Sequence, residues 1–310
     1  MTETPGSPTL EARDAAEWDR LARAGRLADA WRVSDRIRSR RGSSRGRSVP
    51  RHYQQVWDGS PFAGRRVLVR CYHGLGDTLQ FIRYATPLRH LASHVTVWVQ
   101  EWLAPMVGTV PGVDAVVPLH DGTPAVAYDV DVEVMELPYA FRTTLETIPT
   151  AVPYLTIAPA RLIGQRPRIG IVWRAGEWDG RRSVPFARLR PLFDRVEATW
   201  YALQSDVRPD EQHPRLAAVD TRGVLPLARA IRALDLVMTI DSMPAHLAGA
   251  MGVPVWTMLP RRADWRWMEH RTDSPWYPTM QLFRQDIDGD WMAVIERLVS
   301  SALPVVRQSR

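Results

Sequence analysis

The chain has 310 residues, 45% of them hydrophobic, which is enough for two domains of about 100–150 residues, each with its own core. One cysteine, Cys71, excludes an intramolecular disulfide and a multi-cysteine zinc site, and makes the cytoplasm the expected setting. Of the net charge of +6, residues 36–51 alone carry seven arginines and no acid, so the body is nearly neutral and a broad nucleic-acid-binding face is not expected.

The first residues, MTETPGSPTLEARD, are polar and acidic and lack the features of a secretory signal. No run of ~18 apolar residues follows anywhere, so no membrane span is expected. Over 11–40 the apolar residues fall on two helical stripes: Ala15, Trp18, Leu21 and Ala22, then Leu27, Ala30, Trp31 and Ile37, broken at Gly25. Such a helix pair cannot bury both faces alone. It should dock on the body or on a partner protein. Segment 36–51, RIRSRRGSSRGRSVPR, reads either as a solvated linker or as an arm touching RNA, an acidic headgroup or an acidic partner. The chain contains no lysine, so its arginines reflect compositional bias and are not each evidence of recognition.

From residue 65, short apolar runs alternate with helical stretches. Strands are expected at 66–71, 95–99, 115–119 and 128–134, and then, after Pro153 and the linker IAPARLIGQRPR, at 169–173, 199–204, 216–220, 236–240, 254–259 and 280–284. Helices are expected at 78–92 (kinked at Pro87), 186–197, 224–233, 244–251 and 290–303. This alternation predicts an α/β protein of two doubly wound, Rossmann-like domains facing a cleft. The boundaries are 1–60 for a helical segment with the arginine-rich linker, 61–160 for the first domain and 161–310 for the second. Ligands in such sheets sit beyond the carboxyl ends of the strands.

CYHGLGDTLQF, 71–81, lies at one such end. Gly74 and Gly76 permit a tight turn and close approach to the backbone. Leu79 stands where a dinucleotide fingerprint needs its third glycine, which argues against NAD. Asp77 reads either as a helix cap or as a general base in the cleft. In the second half, Asp241 and Ser242 end a strand and Pro244 opens a small-residue helix, whose amino end suits a diphosphate. His246 is placed to add a hydrogen bond or to sit in the core. WRAGEWDGRRSVPF, 173–186, offers Arg174, Arg181 and Arg182 as phosphate forks or as a solvated loop. DWRWMEHRTDSPWYPTM crowds aromatic residues that either pack or stack on a sugar or base. Glu269, His270 and Asp273 do not follow a recognised ligand spacing, and no metal site is expected.

Together GLGDTLQFIRYATPL, GIVWRAG, LDLVMTIDSMPAHLAGAMGVPVW and DWRWMEHRTDSPWYPTMQLFRQ resemble the GT-B glycosyltransferase domain that often follows bacterial tetratricopeptide repeats. That domain is related to the ADP-heptose:lipopolysaccharide heptosyltransferases of glycosyltransferase family 9. The resemblance covers roughly 50–303, and AGRLADAW resembles a remnant of one repeat. It implies an inverting, metal-independent transfer from a nucleotide-diphosphate sugar, the co-substrate, to an unknown acceptor, with no cofactor. It implies Asp77 as the base. It implies donor contacts from Gly74, Gly76, Trp173, Arg181 or Arg182, Gln204, Asp241, Ser242, Met243 and His246. Met243 stands where the family has glycine. A catalytically inactive module that binds a nucleotide sugar or glycan and acts through a partner is the alternative.

Overall fold

The computed structural model describes residues 9–41, 50–176 and 179–308. Residues 42–49 of the arginine-rich stretch, and Glu177 and Trp178, lie outside the described residues. The first two helices, α1 (Leu10–Arg23) and α2 (Leu27–Arg41), flank Gly25, whose φ of +73° turns the chain back. Part of the expected linker is therefore helix: α2 runs through Arg41, and Arg36 and Arg40 reach Asp14 on α1. Arg51, beyond the gap, donates to the carbonyls of His120 and Gly122 at 2.9 and 3.0 Å.

Two sheets follow, and every pairing in them is parallel. The first contains β1 (Arg66–Arg70), β2 (His94–Val99), β3 (Ala115–Pro118) and β4 (Val130–Glu133), in the order β3-β2-β1-β4. The second contains β5 (Arg168–Ile171), β6 (Thr199–Ala202), β7 (Leu216–Ala218), β8 (Leu236–Ile240), β9 (Val255–Leu259) and β10 (Met280–Arg284), in the order β10-β9-β8-β5-β6-β7. Val-rich runs such as RVLVR and LVMTI make strands because branched side chains fit a pleat covered on both faces. In each sheet the order reverses at the first strand: between β1 and β4, and between β5 and β8. Those are the switch points, where parallel sheets open a crevice at their carboxyl ends.

The helices that connect or follow these strands are α3 (Leu75–Phe81), α4 (Ala85–Leu91), α5 (Ala104–Val107), α6 (Leu137–Ala140), α7 (Arg190–Arg195), α8 (Val224–Arg232), α9 (Met243–Ala250) and α10 (Trp291–Gln308). The helix expected over 78–92 is two helices joined by a 3₁₀ turn at Ile82–Tyr84. Pro87 has no N–H for the carbonyl four residues back, and it is accommodated in the first turn of α4. The stretch 186–197 likewise opens as a 3₁₀ turn, Phe186–Leu189, before α7. Residues 151–167 pass from one sheet to the other without strand or helix. No helix among the described residues is long and apolar enough to cross a membrane.

One continuous apolar core runs through both halves. Phe81 on α3 meets Trp276 edge-on at 5.6 Å and stacks on Trp265 at 6.3 Å. Arg83 crosses the same seam: fully enclosed, it donates to the carbonyls of Gln80, Pro149 and Trp276 and to the Tyr154 hydroxyl. The N-terminal helices dock on this body and touch both halves. Trp18 of α1 sits edge-on to Trp265 at 5.3 Å, and the Arg23 carbonyl accepts from the Glu269 N–H at 2.8 Å. On α2, Trp31 Nε1 donates to the Thr143 carbonyl at 2.6 Å, and Asp35 pairs with Arg142 at 2.7 Å.

Candidate functional site

The two switch points face each other. Between them lies a cavity of about 330 Å³, walled by the turns after β1 and β4 on one side and those after β5, β8 and β9 on the other. A larger groove of about 1250 Å³ runs beside β10. Many of its charged residues pair with one another or with neighbouring acids, as Arg271 does with Asp273 and Arg297 with Asp286. It lies at the sheet edge, away from either switch point, so the smaller cavity is the better site.

Of the residues singled out in the sequence, Gly74, Gly76, Asp77, Arg182, Asp241, Ser242, Met243 and His246 line this cavity together. Gly76 is the point where α3 meets α9. A Cβ there would stand 3.0 Å from His246 Cδ2 and 3.5 Å from Met243 Cα. Its missing side chain therefore serves helix-to-helix approach across the seam. Ser242 caps α9 with backbone in an extended conformation, but its hydroxyl makes no capping bond; it lies 3.3 Å from the Ile240 carbonyl. The amino end of α9 thus faces the cavity with its partial positive charge uncompensated by its own cap. Arg182 Nη1 donates to the Asp241 carbonyl at 2.8 Å and brings a cation to the same wall.

His246 is enclosed, with Nδ1 3.0 Å from the Tyr277 hydroxyl and its ring stacked on Trp267 at 5.2 Å. Burial, joined by the charges of Arg266, Arg83 and Arg182, holds its pKa well below the usual 6.5, so it is neutral at pH 7. Both readings of His246 meet here: it packs as a core histidine and still borders the cavity. Asp241 is also buried, and desolvation raises its pKa against the opposing pull of Arg266.

Trp173, Arg181 and Gln204 do not line the cavity. Trp173 is fully buried against Phe186. Arg181 points to solvent and closes on Asp179 at 2.9 Å. Gln204 accepts from the Arg174 N–H at 3.0 Å and donates to Asp206 at 2.7 Å, so it ties β6 to the turn after β5. Arg174 is spent on Glu211 at 2.9 Å.

The structure adds groups that sequence reasoning missed. Arg266, buried between the sheets, pairs with Asp77 Oδ1 at 2.8 Å and Asp264 Oδ1 at 2.9 Å, and donates to Gln80 at 3.0 Å. Burial opposes its charge, but Asp264, Asp77 and Asp241 outweigh that and hold it protonated. It lies inside the aromatic stretch after β9, where tryptophan packing was the visible signal. His73, beside Gly74, also lines the cavity, with Nδ1 3.0 Å from Oε1 of buried Glu133. Nothing local marked this pair: β1 and β4 are brought together only by the sheet order.

The N-cap of α3 is Gly74 rather than Asp77: the helix starts at Leu75, and Asp77, in its third position, reaches back to accept from the Gly74 N–H at 3.0 Å. It also borders the cavity. Each of its oxygens therefore already accepts a bond, one from the turn and one from Arg266.

No protein-family model matches the chain. FlbA of Caulobacter vibrioides is 22% identical over 342 residues, an overlap of 96% of this chain and 56% of FlbA, so the chain spans just over half of that relative. Among solved structures, a glycosyl transferase family 9 protein from Veillonella parvula superposes with a TM-score of 0.57 at 14% identity, over 80% of this chain and 99% of that one. E. coli ADP-heptose lps heptosyltransferase II gives a TM-score of 0.55 at 13% identity, over 78% and 99%. E. coli heptosyltransferase WaaC, solved with ADP, gives a TM-score of 0.51 at 12% identity, over 78% and 99%. With two parallel sheets meeting at their switch points, the chain has the GT-B-like fold of the family 9 glycosyltransferases.

Proposed function

We propose that this chain is a glycosyltransferase that moves a sugar from a nucleotide-diphosphate sugar to an acceptor hydroxyl, with inversion at the anomeric carbon and without a metal. The observation that carries the reading is the pairing of unlike walls in one cavity. The second half contributes the uncapped amino end of α9 with Arg182, and the first half contributes ionisable side chains, Asp77 and His73. A diphosphate leaving group gathers negative charge as the sugar departs. Backbone N–H groups and a guanidinium, already in place, stabilise that charge without reorganisation. The donor is therefore assigned to the second half and the acceptor to the first. The ADP bound by the structural neighbour WaaC is a ligand of this chemical type. A heptose is the first sugar to test.

The test is a thermal-shift screen of ADP-, UDP-, GDP- and dTDP-linked sugars, ADP-heptose included, followed by release of nucleoside diphosphate from the best stabiliser. Stabilisation by one donor together with turnover supports the reading. Stabilisation without turnover would instead support an inactive binding module. No stabilisation by any of them would remove the donor assignment.

A further inference from the structure

We infer that His73, oriented by Glu133, is the group that takes the acceptor's proton, and that Asp77 positions Arg266 and the helix α3. The inference rests on the glycosyl-transfer reading and deepens it. The motif that carries Asp77 draws attention to the carboxylate, but the structure gives that carboxylate other work. Its Oδ1 is paired with Arg266 at 2.8 Å and its Oδ2 accepts the Gly74 N–H at 3.0 Å. A proton placed on Asp77 would remove the negative half of a pair whose cation is buried.

His73 stands four residues before Asp77, on the same wall of the cavity. Its Nδ1 is enclosed and lies 3.0 Å from Glu133 Oε1, in a contact bent away from ideal hydrogen-bond alignment. Such contacts are commonly loose before substrate binds. Glu133 is itself immobilised: its carboxylate accepts the N–H groups of Tyr72 at 3.1 Å and Met135 at 2.7 Å. An ionised carboxylate only accepts, so Nδ1 carries the hydrogen and Nε2 is the nitrogen that gains or loses a proton. The groups facing this imidazole are Glu133 at the end of β4 and Asp77 on α3, with the main chain at His52. Across the cavity are Asp241, Asp264, Arg182 and Arg266. Burial works against the imidazolium, but Glu133 and then Asp77 outweigh it and raise the pKa above its ordinary 6.5. The imidazole is thereby a stronger proton acceptor than a free one.

In the step itself, the acceptor O–H bond breaks and its proton passes to Nε2. The oxygen bonds the anomeric carbon as that carbon's bond to the diphosphate breaks, and the electron pair leaves on the diphosphate. The imidazolium is held opposite Glu133 until solvent takes the proton.

The experiment has two readouts. First, protein carrying ¹³C-labelled histidine is titrated by NMR, with the His73 signal assigned from His73→Gln. A midpoint above 6.5 that falls in Glu133→Gln is expected; a midpoint below 6.5 would overturn the pairing. Second, nucleoside diphosphate release is followed with the donor panel above, water serving as acceptor, in wild type, His73→Gln and Asp77→Asn. His73→Gln should lower kcat about 10²–10⁴-fold with donor KM within twofold, and it should erase the rise of kcat/KM with pH. Asp77→Asn should keep that rise. If His73→Gln turns over like wild type, or if the rise disappears in Asp77→Asn instead, the base is Asp77 and the inference is wrong. If wild type releases nucleotide from no donor, the glycosyl-transfer reading fails first and takes this one with it.

Discussion

Asp77, on the first helix of the first sheet, and Arg266, from the turn after β9 of the second, meet at 2.8 Å across the seam between the halves. The pair is 189 positions apart in sequence, yet it forms the floor of the cavity. It ties the geometry of the proposed acceptor wall to that of the donor wall.

Arg266→Ala should therefore do more than empty a surface position. It leaves Asp77, Asp264 and buried Asp241 without the cation they share. Breaking a buried pair from one side typically costs about 3–5 kcal/mol. A marked fall in the denaturant midpoint is expected, with a smaller loss for Arg266→Lys, which keeps the charge and loses the fork. A midpoint for Arg266→Ala equal to wild type would mean that the acids lose nothing with it.

Gly76→Ala tests the approach of α3 to α9. The added methyl would meet His246 Cδ2 at 3.0 Å, and His246 is wedged between Trp267 and Tyr277. Overpacking of this kind costs about 1–3 kcal/mol. Melting temperature and nucleotide affinity should fall together, because the same contact shapes the cavity. A fall in stability with unchanged affinity would separate the seam from the site.

Half-buried Glu136 and buried His246 set opposing pH trends. Glu136 accepts the N–H groups of Trp57 and Glu133, each at 2.9 Å, yet burial pushes its pKa from 4.5 to about 7. A raised carboxyl favours the folded state most below pH 4.5 and loses that contribution as pH climbs through 7, up to about 3 kcal/mol. His246 is depressed, so its contribution is complete above 6.5 and declines as pH falls below that value. Urea titrations from pH 4.5 to 8 should show that Glu136→Gln removes the loss on the alkaline side. A pH profile identical to wild type would place its titration elsewhere.

The N-terminal helices are fastened to both halves. Trp31 buries its ring against Tyr139 at 5.9 Å and anchors Nε1 on the Thr143 carbonyl. Trp31→Ala should destabilise by about 3–5 kcal/mol. Protease cleavage within α2 should quicken in parallel, since α2 would open more often. Unchanged melting would mean that the helices ride on the body without bracing it.

The sequence was legible wherever the signal is local. Short apolar runs marked the ten strands found among the described residues, because a pleat favours branched, aromatic and other apolar side chains within five or six positions. Gly25 placed the break between α1 and α2, and GLGD and DSMPAH marked the two strand-to-helix turns that border the cavity. Local pattern did not show where every side chain of these turns would go. Arg181 and Trp173 sat in a promising turn, but one closes on its own Asp179 and the other fills the core, choices made by packing that spacing does not encode.

What the chain alone determined is the succession of elements and the chemistry of single turns, since dihedral preference and hydrophobic period act over a few residues. Tertiary structure decided which turns face each other. It put His73 beside Glu133, because β4 lies next to β1, and Arg266 beside Asp77, because the two sheets abut at α3 and α9. Both encounters join residues 60 or more positions apart, and charge pairing at that range leaves no mark in the local pattern.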